Sequence, residues 1–335
     1  MDTHTQIQVP TGTIQSQKAF SLSGFFLRWE WLLILLIVIV GLINTGISPY
    51  FLNVINLFDM TFNFMEKGLM ALAMTMIIIT GGIDLSVASG LAMSSATMAL
   101  LFKHGVPIWI GALVALGIGV LGGWLNGKMI TKITLPPLAV TLGTYALYRG
   151  LAFAMLGDVP VKGYPEYFTY LGQGYIGSTP IPFSLILFAV FAILFALLLH
   201  RTSFGRTVFA IGNNEEACRY AGIDVTRTKT ILYMLSGFMA ALAAIIMAAR
   251  FGSTRTDVAT GYELHVITAV VLGGTDIAGG KGTMWGTILA VFLLGIIEWG
   301  MGLKMVPGQV QQIVSGVVLI FAILLPNVIG KFVKR

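Results

Sequence analysis

Long apolar stretches separated by short polar segments follow one another from about residue 30 to the end of the chain. A helix needs about 20 mainly apolar residues to cross a bilayer. Gly81 and Gly82 lie between two of these stretches and Gly279 to Gly282 between two others, which predicts broken helices or re-entrant turns at both places. The pattern therefore predicts an all-α fold, a polytopic transmembrane helical bundle of about ten spans. The predicted spans are residues 30–48, 55–79, 85–102, 107–130, 135–156, 181–199, 230–250, 264–280, 283–303 and 309–330.

Composition supports a membrane protein. Of the 335 residues, 56% are apolar and only 10% are charged, whereas a soluble domain has about 45–50% and about 25%. So few charges exclude a soluble enzyme and a disordered chain, and the unbroken apolar runs exclude a transmembrane β-barrel. The single cysteine, Cys218, excludes an internal disulfide.

The basic residues predict the orientation. Residues 1–28 are polar, and no small-residue cleavage signal follows the first apolar stretch. We therefore predict a cytoplasmic N-terminal tail over residues 1–28 and one transmembrane domain over residues 29–335. With that tail inside, thirteen Lys and Arg residues fall in cytoplasmic segments and five in outside segments. This bias predicts that both termini are cytoplasmic, and the scattered basic residues indicate a lipid bilayer rather than a nucleic acid as the partner.

The fourth stretch carries a regular series of small residues. Gly111, Ala115, Gly119, Gly123 and Gly127 recur every four positions and so share one helix face. Small residues let a neighbouring backbone approach closely. The series predicts intimate helix contact, either as ordinary tight packing or as a sliding face.

The segment of about residues 200–230 leaves the apolar pattern. Asn213 is placed to cap a helix, Glu216 three residues later completes a capping box, and Gly222 suits a helix C-terminus. These residues predict a short helix over residues 214–221, about 12 Å long. Such a helix could transmit force from a cytoplasmic partner into the neighbouring spans, and a loop helix lying on the bilayer is the alternative.

Four motifs carry a resemblance to a known family. They are SFGRTVFAIGNNEEACRYAGIDV around that short helix, ITGGIDLSVASG at 79–90, LPPLAVTLGTYALYRGLA at 135–152 and ITAVVLGGTDIAGGKGTMWGT at 267–287. In this order and spacing they resemble the permease subunits of binding-protein-dependent ABC importers for simple sugars, of the ribose, xylose, galactose and rhamnose type. Residues 29–335 would then be the permease domain, with a coupling loop at about residues 200–230.

This resemblance implies ATP-driven import of a monosaccharide across the bacterial inner membrane. The implied partners are a second permease subunit, identical or homologous, cytoplasmic ATPase subunits and an extracytoplasmic sugar-binding protein. No cofactor is expected in this chain, because ATP and Mg would bind the ATPase subunits. The residues that match the family's ATPase-coupling motif are Gly212, Asn213, Asn214, Glu215, Glu216, Ala217 and Gly222.

Polar residues inside the predicted spans are candidates for function. Asp84 and Asp276 each follow a double glycine and are predicted to cap helices or to take part in gating, with an ion site as a further alternative. Sugar hydroxyls would be bound by amide and hydroxyl groups. The candidates for the substrate pathway are Asn63, Thr141, Thr144 and Tyr145.

The other intramembrane charges are predicted to be structural. Glu66 and Lys67 are adjacent and point to different sides of a helix, so each needs a separate partner. Structural pairing is also predicted for Arg149 and Glu298.

Other function classes have weaker support. There is no HExxH or GxSxG motif, and the four histidines form no metal-binding pattern. Residues 274–282 resemble a phosphate-binding loop but do not match its pattern, because Thr275 stands where the first glycine is required. The chain is thus not expected to be an enzyme or to hold a metal. An ion-coupled secondary transporter of a small polar solute and a passive channel are the alternatives, and a cyclic furanose signalling molecule is the alternative substrate.

We predict that the purified chain does not hydrolyse ATP. The physical reason is that no segment has the glycine-rich loop with Lys and Ser/Thr that cradles nucleotide phosphates. Phosphate release from ATP, measured with the full chain in detergent, checks this. A hydrolysis rate above that of protein-free buffer would contradict it.

Overall fold

The computed structural model describes residues 29–333. The predicted tail at residues 1–28 lies outside the described residues. Within them the chain forms fourteen α-helices, one 3-10 helix and one two-stranded ribbon. The first seven helices are α1 (Trp29–Ile47), α2 (Val54–Asp59), α3 (Met65–Ile79), α4 (Val87–Lys103), α5 (Ile108–Lys132), α6 (Pro137–Leu156) and α7 (Glu166–Gln173). The others are α8 (Phe183–Arg201), α9 (Ser203–Asn213), α10 (Glu215–Tyr220), α11 (Val225–Phe251), α12 (Tyr262–Leu272), α13 (Met284–Leu303) and α14 (Gly308–Val333).

The helical bundle is confirmed, but about ten full spans are not. In the described part of the chain, six helices are long and apolar enough to cross a membrane, namely α1, α5, α6, α8, α11 and α13. The segment Val54–Asn63, which includes the 3-10 helix Met60–Asn63, joins α3 at a bend of 57° and makes a seventh candidate. Two of the predicted spans are shorter apolar helices, Val87–Lys103 and Tyr262–Leu272, and α14, which has 26 residues, is apolar over its part Gly308–Ala322.

The prediction of a full span over residues 264–280 is wrong. The helix there, α12, has 11 residues and ends at Leu272, so it covers about 16 Å of a hydrocarbon core that is about 30 Å thick. It ends because the chain turns at Gly274, whose φ of +87° lies in the left-handed region that favours glycine. Residues 273–283 then lead to α13 without forming a helix.

The predicted small-residue face is where the bundle packs most tightly. It lies against α11: a methyl group added at Gly123 would lie 2.0 Å from the Tyr233 carbonyl oxygen, and one at Gly119 would lie 2.4 Å from the Gly237 carbonyl oxygen. Backbone therefore touches backbone along these two long helices. The prediction of intimate helix contact is confirmed, and α11 is accordingly the central helix, packed also against α3, α4 and α7.

The bundle has two ends, which are defined by the first and last residues of α11. At its first residue, Val225, the side chain is buried with Ile211 of α9 and Cys218 of α10, and we call this the junction end. At its last turn, Arg250 contacts Phe62 and Asn63. The strands β1 (Val161–Lys162) and β2 (Ser253–Thr254) pair antiparallel at this second end, which we call the ribbon end.

Substitution of Gly123 by alanine is expected to destabilise the bundle. The new methyl group would overlap the Tyr233 carbonyl, and overpacking of this kind costs about 1–3 kcal/mol. Thermal unfolding of the full chain in detergent, followed by helical circular dichroism, measures the effect. Gly117→Ala is the matched control, since nothing lies within 4 Å of a methyl group there. Equal unfolding temperatures for the two variants would contradict this packing.

Candidate functional site

Two short helices form the segment that the sequence predicts to be a coupling loop. The structure adds α9, which the sequence pattern does not predict, before α10. Asn213 was predicted to cap the short helix, but it is the last residue of α9. Asn214 caps α10 instead, since its side-chain oxygen accepts a hydrogen bond of 2.9 Å from the Ala217 N–H. The shift by one residue has a simple reason: α9 continues up to the cap and leaves only Asn214 in an extended conformation.

Gly222 ends α10 as its sequence position predicts. Its φ is +79°, and its N–H donates to the Arg219 carbonyl while the Ile223 N–H donates to the Cys218 carbonyl. This is the double hydrogen bond of a glycine C-cap. Because Cys218 is buried against Ile211 and Val225, the short helix is fixed to the start of α11.

The two acids of α10 have different surroundings. Glu215 accepts hydrogen bonds from Arg219 and from Lys229 of α11. Burial alone raises the pKa of the Glu215 carboxyl, but the hydrogen bonds and positive charges of Lys229 and Arg219 outweigh it, so the pKa lies below its ordinary value. Glu216 is exposed. Glu215 therefore holds α10 onto α11, whereas Glu216 belongs to the free surface.

That free surface contains an aromatic residue that sequence reasoning missed. Tyr220 is 91% exposed at the end of α10. Asn213, Asn214, Glu216 and Ala217 are also exposed beside it. We call these five exposed residues the coupling surface, because they lie in the predicted coupling loop. The signal for Tyr220 in the sequence was an aromatic residue inside a polar, capped helix, where no membrane or core contact requires one.

The other side of this segment contacts two of the other motifs at once, those at 79–90 and 267–287. Gly212 of α9 lies so close to the last residue of α3 that an added methyl group would be 1.9 Å from the Ile79 carbonyl oxygen. The same oxygen accepts a hydrogen bond of 2.8 Å from the Gly280 N–H. A methyl group added at Gly279 would lie 3.0 Å from the Ile79 carbonyl oxygen and 3.1 Å from that of Gly212. We call Ile79, Gly212, Gly279 and Gly280 the glycine junction.

Asp84 and Asp276 have different environments. Asp84 is 2% exposed, and its carboxylate accepts hydrogen bonds from the Ser86 hydroxyl at 2.6 Å and the Ser236 hydroxyl at 2.7 Å. It thereby ties the start of α4 to the middle of α11. Asp276 is exposed and accepts from the Ala278 N–H within its own turn. Among the described residues no hydrogen bond or ion pair joins the two acids, and gating by either one stays a prediction.

The four predicted pathway residues do not form one site. Thr141 donates hydrogen bonds to the Ile83 and Pro137 carbonyls, and Thr144 donates to carbonyls within its own helix, α6. Tyr145 lies half-buried on the same helix. Asn63 lies at the ribbon end, where Arg250 donates to its side-chain oxygen. Both threonine hydroxyls are thus engaged in helix contacts, and contact of these residues with a substrate stays a prediction.

The intramembrane charges form ion pairs. Lys67 is 2.6 Å from Glu298, whose other oxygen is 3.1 Å from His265, and Arg250 is 3.0 Å from Glu66. The neighbouring residues Glu66 and Lys67 thus have separate partners, as their spacing predicts. Pairing is required because an unpaired charge inside a membrane costs several kcal/mol.

Arg149 is satisfied differently. Its guanidinium donates to the Thr256 carbonyl at 2.9 Å and to the Val258 carbonyl at 2.8 Å. The structural role predicted for this residue is therefore to hold the segment after β2 against α6.

Comparison with known proteins places the chain in a family. A family model described as the permease component of branched-chain amino acid transport systems matches residues 56–323. The chain belongs to this permease family. The LsrD protein of Yersinia enterocolitica, an autoinducer 2 import system permease, is 38% identical over 306 residues, which are 90% of this chain and 91% of the relative. No solved structure matches the chain.

Two further relatives agree with this result. The autoinducer 2 import system permease proteins LsrD of Klebsiella pneumoniae and Escherichia coli K12 are 35% and 36% identical. They cover 89% and 88% of this chain, and the match spans 91% of each relative. The resemblance to permease subunits is confirmed over nearly the whole chain.

Glu215→Gln is expected to lower the stability of the permease at neutral pH. The loss is at most about 1 kcal/mol, because the carboxyl is 34% exposed and solvent screens its ion pairs. Since the folded-state pKa is lowered, the difference from wild type is fully present above the ordinary value of 4.5. It is lost as the pH falls through the lower folded-state value. Thermal unfolding of both proteins over a pH series measures it.

Glu216→Gln is the matched control for that series. Its side chain is exposed, so its stability is expected to follow wild type at every pH. A Glu215→Gln variant as stable as wild type at neutral pH would show that Glu215 does not hold α10 in place.

Proposed function

We propose that this permease is the translocation subunit of an ATP-driven importer for a small polyhydroxylated molecule. A second permease subunit, cytoplasmic ATPase subunits and an extracytoplasmic binding protein complete the importer in this proposal. The observation that carries it is the contact between the short helices and the glycine junction. One side of this segment is the exposed coupling surface, and the other touches the end of α3 and residues 279–280.

The arrangement suits the transfer of force. Closely packed backbone has no gap in which a displacement is absorbed. An ATPase subunit that binds Glu216 and Tyr220 and moves α10 would displace α9, and Gly212 would carry that displacement to Ile79. A partner-free carrier has no need of such a surface.

The relatives support a furanose as the substrate. Three LsrD proteins, whose names state autoinducer 2 import, match about nine-tenths of the chain. The family description mentions branched-chain amino acids, but a description that covers a broad family carries less information about one substrate than relatives matched over almost their full length. A cyclic furanose of the autoinducer 2 type is therefore preferred here, with a monosaccharide as the alternative.

The proposed orientation follows the basic residues. The junction end, with Arg206, Arg219, Arg227 and Lys229, lies in the cytoplasm, and the ribbon end lies outside. The permease would then span the bacterial inner membrane with the coupling surface accessible to ATPase subunits. The binding protein would approach the ribbon end.

The ion pairs favour one second candidate, an ion-coupled secondary transporter. Glu66, Glu298 and His265 are titratable groups inside the bundle, and such groups mark ion pathways in many carriers. Uptake into vesicles separates the two functions. ATP-driven import stops when ATP is depleted although the proton gradient persists, whereas ion-coupled uptake continues.

Tyr220→Ala and Glu216→Gln are expected to weaken binding of the ATPase subunits and to lower ATP-driven uptake. An exposed aromatic anchor at an interface contributes about 2 kcal/mol or more, so Tyr220→Ala should lower the affinity by at least about tenfold. Co-purification of the ATPase with the full permease and uptake of the furanose into vesicles measure the two effects.

Tyr167→Ala and Glu166→Gln are the matched controls. They place the same changes at two exposed positions of α7, at the ribbon end. Equal ATPase binding by the two pairs of variants would contradict the proposed coupling surface. Gly212→Ala is expected to retain ATPase binding but to lose uptake, because the contact with Ile79 cannot form without displacement.

A further inference from the structure

A cavity of about 410 Å³ opens beside Arg250 at the ribbon end. It is an open depression of the surface, large enough to hold one sugar-sized ring on one side. Asn63 lies in its wall, apart from the other predicted pathway residues. We call this depression the Arg250 pocket, and it lies at the opposite end of the bundle from the coupling surface.

Planar polar side chains line the pocket in fixed orientations. Tyr175 donates a hydrogen bond of 2.7 Å to one carboxylate oxygen of Asp59. Gln173 donates one of 2.7 Å to the Arg250 carbonyl, and Arg250 donates one of 3.2 Å to the Asn63 side-chain oxygen. Each contact uses only part of the polar group. One carboxylate oxygen of Asp59, the amide oxygen of Gln173 and the amide nitrogen of Asn63 are left for hydroxyl groups of a ligand.

Aromatic rings form the remaining wall. Phe62, Phe251 and Trp299 border the cavity. Phe62 is held edge-on to Tyr175, with ring centroids 5.7 Å apart. Aromatic walls with a few oriented polar groups fit a ring that has apolar C–H faces and hydroxyls around its edge.

The charges of the pocket favour a neutral ligand. Among the described residues that line it, Arg250 is the one cation, and its guanidinium is 3.0 Å from the buried carboxylate of Glu66. Glu66 offsets the charge of Arg250, and one guanidinium nitrogen already donates to the Phe62 carbonyl and the Asn63 side-chain oxygen, so little uncompensated charge is left for a ligand carboxylate. The pocket is therefore better suited to a ligand without charged groups.

The geometry points to a binding site for one neutral polyhydroxylated ring, a furanose or a monosaccharide, in the Arg250 pocket. This inference rests on the proposed function, since it makes the pocket the site on the outer side of the membrane where the imported molecule first binds the permease. Glu66, which pairs with Arg250, is the second residue of α3, and Ile79 at the glycine junction is its last. One helix of 15 residues, about 22 Å long, thus connects the pocket with the coupling segment.

Protection of an introduced thiol tests the site in the full chain. Asn63→Cys is combined with Cys218→Ser, which removes the only native cysteine, and the reaction with a membrane-impermeant maleimide is timed in lipid nanodiscs. Autoinducer 2, D-ribose and L-leucine are the probes. At about ten times the dissociation constant, autoinducer 2 or ribose should slow the reaction about tenfold, because only the unoccupied fraction reacts. Leucine should have no effect.

Asp158→Cys in the same background is the matched control. Asp158 is exposed outside the pocket, so its labelling should not respond to any probe. Gln173→Cys is a second reporter in case Asn63→Cys folds poorly. Unchanged labelling at positions 63 and 173 would overturn the proposal, as would protection by leucine alone or by a sugar-free binding protein alone.

ATP-driven uptake by the assembled wild-type importer is measured separately. Uptake without protection would overturn the site and leave the proposed function standing. Protection without ATP-dependent uptake would support the site as a polyol-binding pocket and overturn the proposed function.

Discussion

The carbonyl oxygen of Ile79 is the point at which three distant parts of this permease meet. It accepts the Gly280 N–H, and Gly212 lies against it with no room for even a methyl group. Any other residue at position 212 would separate α9 from α3, because a side chain would occupy the space of that oxygen. The arrangement of α3, the short helices and the segment before α13 therefore depends on one backbone contact.

The same type of contact holds the centre of the bundle. The glycines of α5 allow its backbone to reach the backbone of α11, which in turn contacts α3, α4 and α7. Lipid tails are as apolar as leucine side chains, so moving a side chain from lipid into a helix interface gains little hydrophobic free energy. Close packing therefore joins helices in a membrane. The stability of the bundle rests on this close contact between backbones.

Ion pairs join helices near both ends of the bundle. Glu215 pairs with Lys229 where α10 meets α11, and Glu66 pairs with Arg250 where α11 meets α3. Each pair joins two helices near an end of the bundle. Glu216 and Asp276, for which the described residues show no ion pair, are exposed, where solvation makes a partner unnecessary. Burial thus separates residues that hold the structure from residues available to partners.

Periodicity, composition and motif order were enough to determine a helical membrane permease, the tight face of α5, the glycine-terminated α10 and the need of Glu66 and Lys67 for separate partners. These features depend on local spacing, which the sequence states directly. The length of α12, the extra helix α9, the different surroundings of Glu215 and Glu216, the glycine junction and the Arg250 pocket depend on three-dimensional packing. Each of them arises from contacts between segments far apart in the chain, such as Ile79 with Gly212 and Asn63 with Arg250, and no local pattern encodes which segments meet.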